Sequence, residues 1–338
     1  MKAVGLRRYL PIDDPESLID FQQEKPVPQG RDLLVSVKAV AVNPVDCKLR
    51  APKPGVEDPP KVLGYDASGI VESVGPESTL FNPGDKVFYA GDITRPGTNS
   101  EFHLVDERIV GRMPASLDFS HAAALPLTSI TAYEAFFDRL AIDPNGANDG
   151  ESILVIGGAG GVGSIGIQLA KIAGLNVVAT ASRPESIQWV TELGADHVIN
   201  HRKPLRPQVE DLGMKYVDYI AFFNDTDGHW DAATDLIRPQ GHMVSIVENS
   251  KPLDQSTMKM KAATFSWEFM FARSMFQTDD MEQQHHLLNR VADWIDAGRL
   301  RVTTGEVMMP INASNLRESH RKLESGKAIG KIVLEGWS

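Results

Sequence analysis

Gly157-Gly158-Ala159-Gly160-Gly161-Val162-Gly163 is the stretch of sequence that decides the fold. It lies between an apolar segment typical of a strand, residues 153–156, and a segment typical of a helix, residues 164–173. A strand that leads through a tight turn into a helix leaves the first N–H groups of that helix without partners, where a pyrophosphate can bind. Glycines keep side chains out of this space, so the stretch predicts a nucleotide-binding turn.

The glycines also fit a longer pattern. Gly158, Gly160 and Gly163 match G-x-G-x-x-G, in which the first glycine makes the turn, the second lets the backbone approach phosphate, and the third allows close helix–strand packing. A second apolar segment, residues 176–181, follows at the spacing of a βαβ unit, which a flexible glycine turn would not require. We therefore predict a dinucleotide site, and the loop residues expected at the cofactor are Gly158, Gly160, Gly161, Val162 and Gly163.

The end of that second segment bears on the choice of cofactor. An acidic residue there would bind the ribose hydroxyls of NAD, but no carboxylate occupies the position. Ser182 offers a hydroxyl and Arg183 a guanidinium, a pair suited to a 2′-phosphate. This favours NADPH. In the alternative interpretation, Arg183 is a solvated loop charge and Glu185 binds the ribose.

Charge and composition limit the partners. The formal net charge of −11 argues against nucleic-acid binding, because contact with phosphates calls for a basic surface, and it also disfavours a membrane surface. No run of 18 apolar residues occurs and the N-terminal stretch lacks an apolar signal region, so we expect a cytoplasmic protein that acts on a small molecule. The single cysteine, Cys47, excludes an internal disulfide and any zinc cluster built on several cysteines.

The pattern along the chain predicts two domains, as 338 residues suggest. Residues 1–127 read as a mostly β domain, with strands expected at 32–42, 67–74 and 86–89. Residues 128–271 alternate between strand and helix, which predicts a doubly wound parallel sheet; further strands are expected at 197–199, 216–223, 242–247 and 264–269. Residues 272–338, with helices at 280–297 and 312–325 and strands at 305–310 and 331–334, are expected to return to the first domain.

Some local predictions concern loops and single side chains. The stretches 51–60 and 202–208 are rich in proline and charge, and we interpret them as surface loops. Ser120 is the expected N-cap of a helix. His285 and His286, adjacent in a helix, do not share a face and are interpreted as surface residues. The apolar group in 265–276 is interpreted mainly as core, with a substrate wall and a dimer contact as the alternative.

Six ordered motifs resemble those of the medium-chain dehydrogenase/reductases, specifically their quinone oxidoreductase-like, zinc-type alcohol dehydrogenase-like members. The resemblance spans essentially the whole chain and implies a Rossmann domain, a GroES-like catalytic domain and a homodimer. The motifs are Ala41-Val42-Asn43-Pro44-Val45-Asp46, Leu63-Gly64-Tyr65-Asp66-Ala67-Ser68-Gly69, Pro83-Gly84-Asp85-Lys86-Val87, Ala124-Leu125-Pro126-Leu127-Thr128, the glycine run, and Leu323-Glu324-Ser325-Gly326 with Gly330-Lys331-Ile332-Val333-Leu334.

The chain departs from this family at the catalytic zinc. The positions that correspond to the zinc ligands resemble Asn43, Tyr65 and a residue near Leu127, none of which offers a thiolate or an imidazole. Cys47 lies four residues beyond Asn43, so only a shifted alignment would restore a ligand. We therefore expect no metal.

The resemblance implies hydride transfer. Without a metal to polarise a carbonyl, the easier acceptor is one that spreads negative charge by conjugation. The expected activity is that of an NADPH-dependent, zinc-independent oxidoreductase acting on a quinone or an α,β-unsaturated carbonyl compound, a quinone oxidoreductase or alkenal/enone reductase. The alternatives are a zinc-dependent alcohol dehydrogenase and a non-catalytic NADPH-binding protein.

Two residues are candidates for catalysis. Asn43 is expected to hydrogen-bond the cofactor ribose or the substrate oxygen, and Tyr65 to donate a proton to a developing oxyanion. Either residue can instead be structural. Asp46 and Lys48 form either a proton relay or a solvated pair.

Further cofactor contacts are expected around the nicotinamide and its ribose. Thr128 matches the family position that faces the nicotinamide end. Asn224 and the pair Ile246-Val247 follow apolar strands, where polar backbone groups would meet the ribose and the carboxamide. Lys331 either reaches a cofactor phosphate or is an exposed lysine on an edge strand.

Overall fold

The structure, a computed structural model, describes residues 1–337. Its strands are β1 (Lys2–Tyr9), β2 (Ile19–Gln22), β3 (Asp32–Ala41), β4 (Lys53–Val62), β5 (Ala67–Val74), β6 (Lys86–Tyr89), β7 (Phe102–Asp106), β8 (Val110–Arg112), β9 (Ser152–Ile156), β10 (Asn176–Thr180), β11 (His197–Ile199), β12 (Val217–Phe222), β13 (Ile237–Ser245), β14 (Thr264–Trp267), β15 (Thr304–Met308) and β16 (Lys331–Glu335).

The α-helices are α1 (Pro44–Arg50), α2 (Phe119–Ala123), α3 (Pro126–Tyr133), α4 (Gly161–Ile172), α5 (Pro184–Glu192), α6 (Leu205–Asp211), α7 (Thr226–Leu236), α8 (Ala272–Phe276), α9 (Gln283–Asp296) and α10 (Ala313–Glu324). A π-helical turn, Glu134–Arg139, continues α3. Two compact units result. One consists of Met1–Leu127 together with the chain from Phe271 onward, and the other is Thr128–Met270.

The second unit contains a six-stranded parallel sheet in the order β11-β10-β9-β12-β13-β14. Strand β9 is buried along its whole length, as expected for a parallel strand covered by helices on both faces. The chain winds outward from β9 first in one direction and then in the other, so the strand order reverses between β9 and β12. This is the Rossmann arrangement, whose ligand crevice lies outside the carboxyl ends of the strands at the reversal. The predicted fold of this unit is confirmed.

The first unit is mostly β. Its larger sheet runs in the order β15-β16-β3-β5-β6-β8, with β7 also paired to β3, and its smaller sheet in the order β2-β1-β4. The C-terminal strand β16 lies antiparallel on β3, with Val333 opposite Ala41. This unit has two apolar core clusters: Val35, Val71 and Leu334 belong to the larger one, and Ala39 and Val333 to the smaller one. The last strand thus completes a sheet begun by the first hundred residues.

Three local predictions were wrong. Residues 51–60 form not a loop but most of β4, which pairs with β1; its side chains are largely exposed, so the backbone pairing leaves no apolar alternation in the sequence. Residues 202–208 run into α6, whose Leu205 and Val209 are buried. The N-cap of α2 is Asp118 rather than Ser120, and its carboxylate accepts a hydrogen bond from the amide of His121 at 2.8 Å.

Other side chains lie differently from their predicted places. His285 is buried, with Nδ1 2.7 Å from the carbonyl oxygen of Val110, so the prediction of a surface residue was wrong for it, whereas His286 is exposed. In the apolar group of 265–276, Met270 and Phe271 are buried as predicted for core. The members that are instead exposed are Trp267, Phe269, Met275 and Phe276. Across residues 1–337, no helix has the length and apolar character needed to cross a membrane.

Candidate cofactor loop and buried polar cluster

The turn of the glycine run is made by Gly157. Its φ of +90° lies in the region that favours glycine, and its N–H donates to Oγ1 of Thr180 at 2.9 Å. Gly158 has no positive φ, so assigning the turn to Gly158 was wrong. A Cβ at Gly158 would lie 3.1 Å from Cβ of Ala179 on the neighbouring strand. Gly158 is therefore needed for close packing against the neighbouring strand.

The other two glycines differ in what surrounds them. A Cβ at Gly163 would lie 2.2 Å from the carbonyl oxygen of Gly157, so this position packs α4 against the turn. The only atom within 4 Å of a Cβ at Gly160 would be the carbonyl oxygen of Gly157, at 3.4 Å. The space beside Gly160 is thus open, and it lies at the start of α4, where the first helical N–H groups have no intrahelical partners. An open cradle of amides suits the pyrophosphate of a dinucleotide.

The end of β10 places Ser182 and Arg183 next to this loop in the sheet. Arg183 is the N-cap of α5, and its Nε lies 3.4 Å from Oε1 of Glu185. The guanidinium is about 29% exposed and the carboxylate about 56%. Thr180, which ends the strand, uses its hydroxyl to hold Gly157. The predicted ribose end of the site therefore has a hydroxyl and a cation, with one carboxylate in contact with the cation.

The residues predicted beyond β12 and β13 lie at the carboxyl ends of those strands. Asn224 is exposed and adjoins the turn, because a Cβ on Gly157 would lie 2.9 Å from its Cβ. The N–H of Ile246 donates to the carbonyl of Phe222 at 3.2 Å, and the carbonyl of Val247 accepts from Oγ1 of Thr226 at 2.6 Å. Thr128 is buried in α3. These residues stay predicted cofactor contacts.

The first unit contains a second group of polar residues, which we term the buried polar cluster: Asn43, Asp46, Tyr65, Asp66 and Lys331. Each member is at most 3% exposed. They come from the β3–α1 junction, the connection between β4 and β5, and the start of β16. Polar side chains that are far apart in the sequence, from Asn43 to Lys331, are therefore brought together in the first unit.

Lys331 is bound to the protein itself. Its ammonium donates to Oδ2 of Asp66 at 2.7 Å, to Oδ1 of Asn43 at 2.5 Å and to the carbonyl of Val42 at 3.1 Å. An ammonium has three donors, and all three are used. Strand β16 also lies between β15 and β3 rather than at an edge. The interpretation of Lys331 as an exposed lysine on an edge strand was therefore wrong, and its contact with a cofactor phosphate stays a prediction.

Asp66 is satisfied on both oxygens. Oδ1 accepts from the amide of Leu127 at 2.7 Å, and Oδ2 accepts from Lys331 and from Nδ2 of Asn43 at 2.8 Å. Burial raises the pKa of Asp66, while the ammonium and these hydrogen bonds oppose that rise. Asn43 also donates to the carbonyl of Tyr65 at 3.3 Å. Its side-chain amide thus binds within the protein through both its nitrogen and its oxygen, and a direct contact of Asn43 with the cofactor or the substrate stays a prediction.

Asp46 is buried, contrary to its interpretation as half of a solvated pair. Its Oδ2 accepts a hydrogen bond from the backbone N–H of Asn43 at 2.6 Å, while Oδ1 has no hydrogen-bond partner among residues 1–337. Burial raises the pKa of Asp46 to about 7, against the lowering effects of the Asn43 amide and of Lys331. Lys48, two residues along α1, is exposed and faces another direction. The Asp46–Lys48 relay is therefore excluded.

Tyr65 is fully buried, and its hydroxyl finds no hydrogen-bond partner in the described chain. The ring packs edge-on against Phe271, with centroids 5.3 Å apart. Burial raises the pKa of Tyr65, and the neighbouring Asp46 raises it further. An unsatisfied buried hydroxyl costs about 1–3 kcal/mol, and native proteins tolerate few of them. Of the two catalytic candidates, Tyr65 is the one whose side-chain polar atom has no partner within the described chain.

The donor atoms of the cluster do not suit zinc. The Asn43 amide and the Asp66 carboxylate are occupied by Lys331, whose positive charge disfavours a nearby cation. The Cys47 thiol is buried, lies 3.9 Å from the carbonyl of His320, and has a pKa raised by burial. Among residues 1–337, no three His, Cys, Asp or Glu side chains are grouped so that they could hold a metal ion.

Two members of the cluster escaped the sequence reasoning. Asp66 was named only as part of the second family motif, and the ion pair between Lys331 and Asp66 was not predicted. The signal available was charge: an aspartate and a lysine within otherwise apolar strand segments need an opposite charge when buried. No pattern in the sequence shows that β16 lies beside β3.

Two family models match the chain: an alcohol dehydrogenase GroES-like domain over residues 29–115 and a zinc-binding dehydrogenase domain over residues 193–334. A zinc-type alcohol dehydrogenase-like protein of Staphylococcus aureus is 43% identical over 335 residues, which cover 99% of each chain. The chloroplastic NADPH-dependent alkenal/one oxidoreductase of Arabidopsis thaliana is 31% identical, over 99% of this chain and 79% of its own.

Two solved structures extend the comparison. A Rhizobium etli protein, described as a zinc-dependent alcohol dehydrogenase, superposes with a TM-score of 0.95 and 53% identity, covering 100% of this chain and 98% of its own. The Escherichia coli quinone oxidoreductase, solved with NADPH, has a TM-score of 0.82 at 24% identity and covers 99% and 100%. The latter likeness concerns the fold alone.

Proposed function

The chain belongs to the medium-chain dehydrogenase/reductases as a zinc-type alcohol dehydrogenase-like member, and we propose that it is an NADPH-dependent, zinc-independent reductase of quinones or α,β-unsaturated carbonyl compounds. That it is an oxidoreductase with a nicotinamide cofactor follows from the family. The proposal concerns three finer points: the cofactor carries the 2′-phosphate of NADPH, the hydride acceptor is a quinone or an unsaturated carbonyl compound, and the reaction needs no metal. The observation that carries it is the buried hydroxyl of Tyr65, which has no hydrogen-bond partner, in a polar cluster whose other candidate, Asn43, is bound to Lys331 and Asp66.

The cofactor loop supports the nucleotide part. The open space at Gly160 and the first amides of α4 would hold the pyrophosphate, and Ser182 with Arg183 would bind a 2′-phosphate. In this arrangement Arg183 exchanges its contact with Glu185, which is exposed and only 3.4 Å away, for the more highly charged phosphate. An aspartate at the end of β10 would repel that phosphate, and Thr180 stands there instead.

In the proposed reaction, Tyr65 supplies the proton. The conjugated acceptor would take a hydride from the nicotinamide when that cofactor is bound, and its oxygen would then carry the electron pair. The Tyr65 hydroxyl donates its hydrogen bond, and then its proton, to that oxygen; solvent restores the proton afterwards. Asn43, Asp66 and Lys331 hold the backbone of Tyr65 in place through the hydrogen bond from Asn43 to its carbonyl.

Purified protein stripped of metal tests the proposal directly. We expect it to oxidise NADPH faster than NADH with 9,10-phenanthrenequinone, 1,4-benzoquinone or a short enal. Stoichiometric zinc in the purified protein, and turnover of alcohols only when zinc is present, would instead establish the zinc-dependent dehydrogenase that the description of the Rhizobium etli structure suggests. Tight NADPH binding without turnover of any acceptor would support a non-catalytic protein.

Arg183→Ala tests the cofactor choice. We expect the KM for NADPH to rise by about tenfold or more and the KM for NADH to change little, because a charge-assisted contact with phosphate is worth about 1.5–3 kcal/mol. Arg202→Ala is the matched control, since Arg202 is an exposed arginine on the same unit. Equal effects on both cofactors would contradict the assignment and favour Glu185 as the ribose ligand.

Tyr65→Phe tests the proton donor. We expect kcat to fall by about 10²-fold, the usual scale for loss of a general acid. The free energy of unfolding should stay the same or increase by about 1 kcal/mol, because the unpaired hydroxyl is removed. A loss of stability together with unchanged kcat would make Tyr65 a structural residue.

A homodimer is the assembly we propose. Strand β14 lies at the edge of the six-stranded sheet, and Trp267 at its end is 46% exposed. An unpaired edge with an exposed aromatic side chain suits pairing with a second copy of the chain. The molar mass from light scattering, for the wild type and for Trp267→Lys, distinguishes a dimer from a monomer of 37.0 kDa.

A further inference from the structure

Two buried hydroxyl groups meet at the carboxyl ends of β12 and β13, beside the predicted cofactor contacts Ile246 and Val247. Thr226 is the first residue of α7 and Ser245 the last of β13, and both are at most 1% exposed. Their hydroxyl oxygens lie 2.7 Å apart. Phe222, which ends β12, pairs with Ser245, so the two hydroxyls lie where the neighbouring strands end side by side.

The direction of each hydrogen bond follows from the groups that the hydroxyls face. The N–H of Val247 can only donate, and it donates to Oγ of Ser245 at 3.1 Å. The carbonyl of Val247 can only accept, and Oγ1 of Thr226 donates to it at 2.6 Å. A hydroxyl has one hydrogen, so in the contact between the two hydroxyls Ser245 is the donor. We term this closed set of three hydrogen bonds, from Val247 to Ser245 to Thr226 and back, the hydroxyl ring.

The hydroxyl ring takes up both polar backbone groups of Val247. The N–H of Ile246 is also used, because it donates to the carbonyl of Phe222 at 3.2 Å. The carbonyl of Ile246 is the polar backbone group of the pair that none of these bonds occupies. A carbonyl accepts hydrogen bonds, and the carboxamide of a nicotinamide has an NH₂ group that donates them, so the two groups are complementary.

Helix α7 is anchored at its first turn, which fixes the position of Thr226. Asp225 is the N-cap, with a left-handed φ of +45°, and its carboxylate accepts from the amide of Gly228 at 2.9 Å. The Asp227 carboxylate accepts from the amide and the hydroxyl of Ser250 at 2.7 and 2.6 Å. The segment after β13 is therefore held to α7 at two points, one buried at Thr226 and one at the surface at Asp227.

We propose that Thr226 and Ser245 are positioning residues for the nicotinamide half of the cofactor: their hydroxyl ring fixes Val247 and thereby the direction of the Ile246 carbonyl. They act through the backbone and do not themselves contact the cofactor. The inference rests on the proposed function to the extent that it needs a nicotinamide dinucleotide in the crevice. It does not depend on the choice between NADPH and NADH.

The two hydroxyls are not equivalent, which makes the expected effects unequal. Oγ of Ser245 also lies 3.2 Å from the carbonyl of Val247. In Thr226→Val, which keeps the shape of the side chain, the Ser245 hydroxyl can turn to that carbonyl and still accept from the Val247 N–H. In Ser245→Ala, the Val247 N–H loses its acceptor. We therefore expect the larger effect from Ser245→Ala.

Amide hydrogen exchange tests the hydroxyl ring in the protein without cofactor. Val247 lies outside every strand, so protection of its amide would come from the bond to Ser245. We expect its protection factor to exceed that of the exposed Asn249 by about tenfold or more, and Ser245→Ala to remove this difference. Equal protection of the two amides in the wild type would overturn the proposal.

Calorimetric binding of matched ligands tests the positioning role. NADPH and 2′-phospho-ADP-ribose differ in the nicotinamide alone, and so do NADH and ADP-ribose. We expect Ser245→Ala to weaken NADPH binding by about three- to tenfold, the scale of one hydrogen bond, and to leave 2′-phospho-ADP-ribose within about twofold of the wild type. Thr226→Val should weaken NADPH binding by about two- to threefold, and Thr226→Ser, which keeps the hydroxyl, should bind as the wild type does.

Thr234→Val is the matched control. Thr234 is a buried threonine of the same helix, and its hydroxyl donates to the carbonyl of Asp231 at 3.1 Å, within α7. Its loss should leave the affinities for all four ligands unchanged. An equal change in this variant and in Ser245→Ala would show that any buried hydroxyl near α7 has the same effect, and would contradict a role specific to the hydroxyl ring.

The outcomes separate this inference from the proposed function. If Ser245→Ala weakens NADPH and 2′-phospho-ADP-ribose equally, or neither, the hydroxyl ring does not position the nicotinamide and the proposal fails. If the wild type prefers NADH and the variant weakens NADH but not ADP-ribose, the positioning role is supported and the assignment of NADPH fails. If Ser245→Ala does not fold, the wild-type exchange measurement and the comparison of Thr226→Val with Thr226→Ser decide.

Discussion

The chain contains the motif Asn-Pro-x-Asp twice, and the two copies have different environments. In Asn43-Pro44-Val45-Asp46 and in Asn82-Pro83-Gly84-Asp85, the aspartate Oδ2 accepts from the asparagine amide, at 2.6 and 2.8 Å. In both, the aspartate amide returns a bond to the asparagine carbonyl, at 3.0 and 3.1 Å. The local hydrogen bonds are thus the same, and the difference arises elsewhere.

The third residue of each copy directs the chain. Gly84 has a φ of +98° and turns the chain into β6, whereas Val45 continues into α1. As a result the first copy lies under the sheet beside Lys331 and Asp66, while the second stays at the surface. The comparison teaches that the motif determines its own hydrogen bonds, whereas the surroundings determine whether its carboxyl is buried.

The largest expected effect comes from removing the cation that serves the first copy. Lys331→Met leaves Asp66 as a buried charge without its partner, and we expect a loss of about 3–5 kcal/mol in the free energy of unfolding. Lys86→Met, next to the second copy and exposed, should cost under about 1 kcal/mol. Denaturant unfolding measures both. The double variant Asp66→Asn, Lys331→Met should recover part of the loss; if it does not, the ion pair is not the cause.

The pH dependence of the free energy of unfolding of Asp46→Asn should distinguish the first copy of the motif from the second. The pKa of Asp46 is higher in the folded chain, about 7, than in the unfolded chain, about 3.9, so folding favours the protonated form. The wild type therefore loses stability as pH rises from about 4 to 7, and the loss stays constant above that range. Asp46→Asn does not titrate, so its stability relative to the wild type should rise by roughly 2–4 kcal/mol over the same range.

Unfolding of Asp85→Asn gives the comparison for that prediction. Because Asp85 lies at the surface, its variant should differ from the wild type by less than about 1 kcal/mol, without the rise between pH 4 and 7. A rise of equal size in both variants would show that burial does not distinguish the two aspartates.

The smallest effect concerns the third residue. Gly84→Val should cost about 1–3 kcal/mol, because its φ is unfavourable for a β-branched residue even though a Cβ would touch nothing within 4 Å. Val45→Gly, early in α1, should cost about 1 kcal/mol through helix propensity. Thermal unfolding measures each. If Gly84→Val costs nothing, the backbone of the second copy is not what keeps it at the surface.

Much of the fold could be predicted because side-chain pattern and backbone pairing agree in it. The strands at 67–74, 86–89 and 197–199 were predicted with the observed bounds, and the alternation from 128 onward led to the observed parallel sheet. Strand β4 was missed because its side chains are mostly exposed and only its pairing with β1 makes it a strand. Periodicity records burial and contains no information on such pairing.

The cofactor loop and the buried polar cluster also differ in how far their positions could be predicted from the sequence. The loop is local, since its glycines, its strand and its helix are consecutive, so its position could be predicted; only the choice of Gly158 for the turn was wrong. The cluster depends on which strands are neighbours. Lys331 meets Asn43 across 288 positions of sequence, and no local pattern announces that contact. Its true partner, Asp66, could be found only in the folded chain.

The pairing of β16 with β3 has a consequence for biosynthesis. A ribosome makes Asn43 and Asp66 early, then the whole of Thr128–Met270, and only afterwards Lys331. Until that lysine emerges, the nascent chain has an aspartate without its counter-charge, and β3 lacks its neighbour on one side. A transcript truncated before codon 331 would therefore yield a polypeptide with an open sheet edge, a substrate for chaperones and proteases rather than a smaller enzyme.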